Sequence, residues 1–132
     1  MNGVRITGAE TVNVSGGGTL TMANAAAGVK YGITEAGTAL TATQAGTDGT
    51  ANETTVTLGA AKLGTITLGD AGGLDFETIN LVIGGDGSAT ITEANTENFA
   101  ETGDSIVVTG SGDYTLNITD AALGSNATAG SE

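Results

Sequence analysis

At 132 residues the chain has the length of one domain, enough to bury roughly two-thirds of the surface of its unfolded form, and Gly, Ala and Thr supply about half of it. It has two Tyr, two Phe and no Trp, Pro, Cys or His, which removes the usual residues of zinc sites, thiol or histidine catalysis and disulfide frameworks. Fifteen Asp and Glu against Arg5, Lys30 and Lys62 leave a net charge of −12, so nucleic acid and acidic membrane surfaces are repelled.

The opening residues, MNGVRITG, lack a cationic start followed by an apolar run and read as no cleavable signal peptide. They suggest a leaderless export route or a piece of a longer chain. No stretch approaches a 20-residue apolar span, so no membrane insertion is expected.

The first recognisable unit occupies residues 10–24, ETVNVSGGGTLTMAN. Val12, Val14, Leu20 and Met22 alternate with polar residues at the period of a strand, and Gly16, Gly17 and Gly18 mark the reversal between two strands. Residues 23–27 carry a weak signal for a helical turn. The segment 35–52, dense in Gly, Ala and Thr, reads as the least ordered stretch or a long insertion, with a worn copy of the unit around 33–43.

The unit recurs at residues 53–70, with Val56, Leu58, Ile66 and Leu68 on one side, and at 77–95, with Ile79 and Leu81. Residues 92–101 hold a second short helical signal, with Thr92 or Asn95 as its cap. The last unit, residues 104–120, places Ile106, Val108, Leu116 and Ile118 at the same alternate positions. Each unit is an acidic residue, Thr or Ser, a short strand, a small-residue turn and another strand. Four units give eight strands, in one repeat-built β domain over residues 1–123 with a flexible tail at 124–132.

Two all-β architectures bury one face of such strands: a β-solenoid of stacked coils and an antiparallel β-sandwich. Stacking places equivalent positions of successive coils over one another, which explains why similar residues recur. A sandwich has no such requirement, and the solenoid is therefore the expectation.

Strand pairs of the form ETVNVSGGGTLTM and DSIVVTGSGDYTLNI, joined by Ala-, Gly- and Thr-rich segments without Cys, resemble repeats of bacterial surface-layer proteins and type I-secreted RTX-like adhesins. The resemblance covers the four units. It implies an extracellular or cell-surface structural protein that leaves the cell without a leader, binds calcium and associates with itself. The calcium nonapeptide of such chains, G-G-x-G-x-D-x-φ-x, is matched from Gly84 at its glycines and apolar position, but Ala89 stands where the aspartate belongs. Near Gly110 and Gly112, Asp113 comes one position early.

The carboxylates gather near turns, where carbonyl oxygens are also exposed, and calcium takes six to eight such oxygens. Asp86, Asp104 and Asp113 are the first candidate ligands, with Asp70, Asp75 and Asp120 as further ones; the competing reading makes all six ordinary turn residues. Catalysis is not expected. The six serines have no histidine to activate them, and a chain with so few aromatic rings gives a sugar little to stack on. Four N-x-S/T sequons, at Asn13, Asn52, Asn117 and Asn126, barely exceed chance, and Asn13 and Asn117 fall within expected strands, so glycosylation is not expected. The rival function is a β-sandwich binding module for a glycan or protein receptor.

Overall fold

The computed structural model describes residues 11–25, 28–44, 53–70, 78–93 and 105–119. Every regular element among them is a strand: β1 (Thr11–Val14), β2 (Thr19–Ala25), β3 (Lys30–Ile33), β4 (Ala39–Gln44), β5 (Glu53–Leu58), β6 (Lys62–Asp70), β7 (Thr78–Ile83), β8 (Gly87–Glu93), β9 (Ser105–Gly110) and β10 (Tyr114–Thr119). Odd-numbered strands form one sheet in the order β1-β3-β5-β7-β9, and even-numbered strands form a second in the order β10-β8-β6-β4-β2. The chain thus visits the two sheets alternately. Each pair of consecutive strands is one coil, and five coils stack into a β-solenoid.

All eight strand pairings are parallel. The antiparallel sandwich is thereby excluded, because its neighbouring strands would run in opposite directions. Parallel strands need a crossover between them, and here each crossover is the strand of the opposite sheet.

The strand count rises from eight to ten because the worn copy at 33–43 belongs to a full coil. Tyr31 and Ile33 are buried on β3, with Val29 just before it, and Leu40 and Ala42 on β4. The expectation of disorder or insertion over 35–52 therefore fails at Ala39–Gln44, and residues 45–52 lie outside the described residues. Small side chains gave this coil a weak apolar pattern, yet Ala42 fits the row between Met22 and Leu68. The helical signal at 23–27 is also corrected over its first three residues: Ala23, Asn24 and Ala25 end strand β2, where pairing with β4 overrides a local preference worth only tenths of a kcal/mol per residue, and residues 26 and 27 lie outside the described residues. Thr92 and Glu93 close β8, and residues 94–101 lie outside the described residues, as does the tail at 124–132.

The core lies between the two sheets as stacked rows. One row runs Val12, Tyr31, Val56, Leu81, Val108 and the next runs Val14, Ile33, Leu58, Ile83. Facing them, Leu20, Leu40, Ile66, Ile91 and Ile118 form a row of the second sheet. Burial is complete in the middle coils and falls at the last one. Leu81 is 0% exposed, whereas Val108, in the same row, is 51% exposed.

Register is fixed at the turns. Val14, Ile33, Leu58 and Ile83 each precede a turn and stack on one another, so Val12 stands in the row of Leu81, two residues from the position that the acidic starts of the units suggest. Glu53 pairs with Thr78, one residue beyond the acidic start Glu77. The coils approach closely here: Gly59 N–H donates to Ile33 O at 2.7 Å and Gly84 N–H to Leu58 O at 2.7 Å. A Cβ on Gly59 would lie 2.6 Å from Thr34 Cα, although its backbone is not left-handed. Small residues at this corner are a packing requirement between coils.

Candidate functional site

Three features stand out on the surface, and each follows from the stacking. The first is the edge where turns of successive coils lie over one another. Asp86, between β7 and β8, and Asp113, between β9 and β10, occupy neighbouring turns. The Asp113 backbone N–H donates to Asp86 Oδ1 at 2.8 Å, and Gly87 N–H donates to Asp113 O at 3.1 Å. Both aspartates are exposed. The Asp86 carboxylate therefore has a structural task, ordering the turn of the next coil. Glu35 does the same on the coil below, accepting the Gly16 N–H at 2.6 Å.

Of the six carboxylates named as calcium ligands, the structure brings Asp86 and Asp113 together. Asp70 is the last residue of β6, paired with Gln44 of β4. Asp75, Asp104 and Asp120 lie outside the described residues. Among the described residues no group of three or more acidic, His or Cys side chains is arranged to hold a metal ion.

The second feature lies on the outer face of the odd-numbered sheet. Asn80 Nδ2 donates to Glu53 Oε1 at 2.7 Å, and the Thr78 and Ser105 hydroxyls lie 3.4 Å apart, so polar side chains bridge consecutive coils. A half-open cavity of about 170 Å³ adjoins Gly28, Lys30, Glu53 and Thr55. The repeat marks Glu53 as the acidic start of a unit but does not reveal its partner, because Glu53 and Asn80 are 27 residues apart and meet only through the register.

The third feature is the pair of solenoid ends. Among the described residues β1 and β2 pair on one side only, as do β9 and β10. Val107 is 41% exposed on the same last coil as Val108. Two buried polar atoms among the described residues lack a hydrogen-bond partner, Thr38 Oγ1 and Tyr114 Oη. Burial pushes the Tyr31 phenol up to about 12, and it raises that of Tyr114 also.

No protein-family model matches the chain, and no curated protein or solved structure matches it.

Proposed function

We propose that the protein is a structural component, of an extracellular or cell-surface assembly, that associates with itself end to end. The observation that supports this reading is the polarity of the two solenoid ends. Among the described residues each end strand is paired along one edge only, and an open strand edge is a template for another strand. One end offers β1 and β2, the other β9 and β10, all running parallel within their sheets. A second copy added at either end continues both sheets at once, and the contact is head-to-tail. Contacts of that kind do not close on themselves unless a rotation brings the ends together, so they build filaments.

The exposed apolar side chains of the last coil add a hydrophobic increment to that contact. Calcium belongs to the same reading: carboxylates at stacked turns of a −12 chain repel one another, and a divalent ion relieves the repulsion. The test is light scattering and negative-stain microscopy across a concentration series, with and without calcium. Elongated particles whose length grows with concentration are expected, and Val108→Lys, which puts a charge on the exposed end coil, is expected to prevent growth. A strict monomer at millimolar protein, with and without divalent ions, overturns the reading.

A further inference from the structure

The outer face of the even-numbered sheet differs from that of the odd-numbered sheet. One row along it reads Thr21, Thr41, Thr67, Thr92, Thr119, the same residue in all five coils and in unbroken register. The neighbouring row contains Thr19, Ala39, Thr65, Thr90 and Asn117: Thr19 pairs with Ala39, Thr65 with Thr90 and Thr90 with Asn117, while Ala39 and Thr65 precede the paired Leu40 and Ile66. The five strands thus carry TLT, ALT, TIT, TIT and NIT. The middle residue of each points into the core, and the flanking ones point out.

Strand propensity alone does not produce this uniformity. The outer face of the odd-numbered sheet is subject to the same propensity, and its corresponding row reads Thr11, Lys30, Thr55, Asn80, Val107. In a chain this acidic, two adjacent rows without a single ionisable side chain form a distinct surface.

The spacing of that surface is set by the backbone. Neighbouring strands lie about 4.7–4.9 Å apart, and alternate residues along a strand about 6.6–6.8 Å apart. The threonines therefore form a nearly rectangular array. Each presents a methyl and a hydroxyl, and its β-branched side chain has little χ1 freedom to lose when it binds. Hydroxyls in such an array can occupy positions in an ordered water lattice, while the methyls between them confine water without binding it. The prism faces of hexagonal ice present oxygens in a rectangular array with repeats of similar size in both directions.

We infer that the Thr19–Thr119 face of the even-numbered sheet is an ice-binding surface. Crystalline polysaccharide is the less suitable lattice, because sugar rings are held by aromatic stacking and neither row contains an aromatic residue. The inference concerns a sheet face and does not depend on end-to-end association.

The test freezes an ice hemisphere slowly from a dilute solution of the full chain and compares protein in the ice with protein in the liquid, alongside thermal hysteresis and pull-down on crystalline chitin. The wild-type chain is expected to enter the ice. Thr67→Tyr, in the centre of the continuous row, is expected to reduce the ice fraction by about tenfold or more, equivalent to about 1.4 kcal/mol. Thr57→Tyr, exposed on the opposite sheet, is expected to leave it unchanged. Circular dichroism checks that both variants keep their β signature; if Thr67→Tyr does not, Thr21→Tyr in the exposed end strand takes its place, with a partial loss expected. Exclusion of the wild-type chain from ice overturns the inference. So does binding to chitin in place of ice, and so does an ice fraction that these row variants leave intact or that Thr57→Tyr lowers equally.

Discussion

Gly59→Ala isolates the close approach of coils from every other role a glycine can have. Gly59 lacks a left-handed backbone, so an alanine there suffers no conformational penalty of its own. Its Cβ, however, would lie 2.6 Å from Thr34 Cα, 2.9 Å from Thr34 O and 3.1 Å from Thr34 C, all of them backbone atoms that no rotamer change can move. The two coils must separate locally, which stretches the 2.7 Å hydrogen bond from Gly59 N–H to Ile33 O. Overpacking of this kind costs about 1–3 kcal/mol. For a chain of this length that lowers the melting temperature by roughly 3–12 °C. Gly18→Ala is the matched control, since its backbone is not left-handed either and nothing lies within 4 Å of the added carbon. It should be neutral or stabilising by about 0.4–1 kcal/mol, through the entropy of the unfolded chain. Thermal and urea unfolding followed by circular dichroism measures both. If Gly59→Ala melts within about 0.5 kcal/mol of Gly18→Ala, the range of unremarkable surface changes, the coils are not packed as described.

Leu81→Ala should cost about 2–5 kcal/mol, because Leu81 is fully enclosed between Val56 and Val108, whereas Val108→Ala in the same row should cost under about 1 kcal/mol. Equal losses in urea unfolding would mean that the last coil is covered as well as the middle ones. The Tyr31 phenol, pushed up to about 12 by burial, is above its unfolded value, so the stability it contributes is complete below pH 10 and is lost as pH rises towards 12. Stability measured across that window should fall, and Tyr31→Phe should lessen the fall; a flat profile contradicts the buried placement. Calcium should raise the melting temperature more than magnesium at matched ionic strength, and Asp86→Ala should diminish the difference. Equal small rises with both ions would indicate screening alone and leave Asp86 as the acceptor of the Asp113 N–H.

What the sequence determined by itself was the face that each residue presents. A strand alternates with period two, so Val12, Val14, Leu20, Met22, Val56, Leu58, Ile66, Leu68, Ile79, Leu81, Ile106, Val108, Leu116 and Ile118 were legible as the inward set, and all but Val108, which is exposed on the last coil, pack in or against the core. Recurrence of the units also pointed to stacked coils, because only stacking rewards a repeated residue at an equivalent position. The candidate calcium ligands were legible as turn carboxylates, and two of them, Asp86 and Asp113, came from adjacent coils. The alignment of the units was not legible. A slip of one residue turns every side chain to the wrong face, but a slip of two preserves the pattern, so periodicity could not decide whether Val12 stacks over Ile79 or in the row of Leu81. The tertiary structure decided it at the turns, where Gly59 and Gly84 allow one backbone to lie against the next and fix the last inward residue of each strand. The coil containing β3 and β4 was hidden for a related reason. Ala42 gives almost no apolar signal in isolation, and it is the larger Met22 and Leu68, stacked on either side of it, that bury its position.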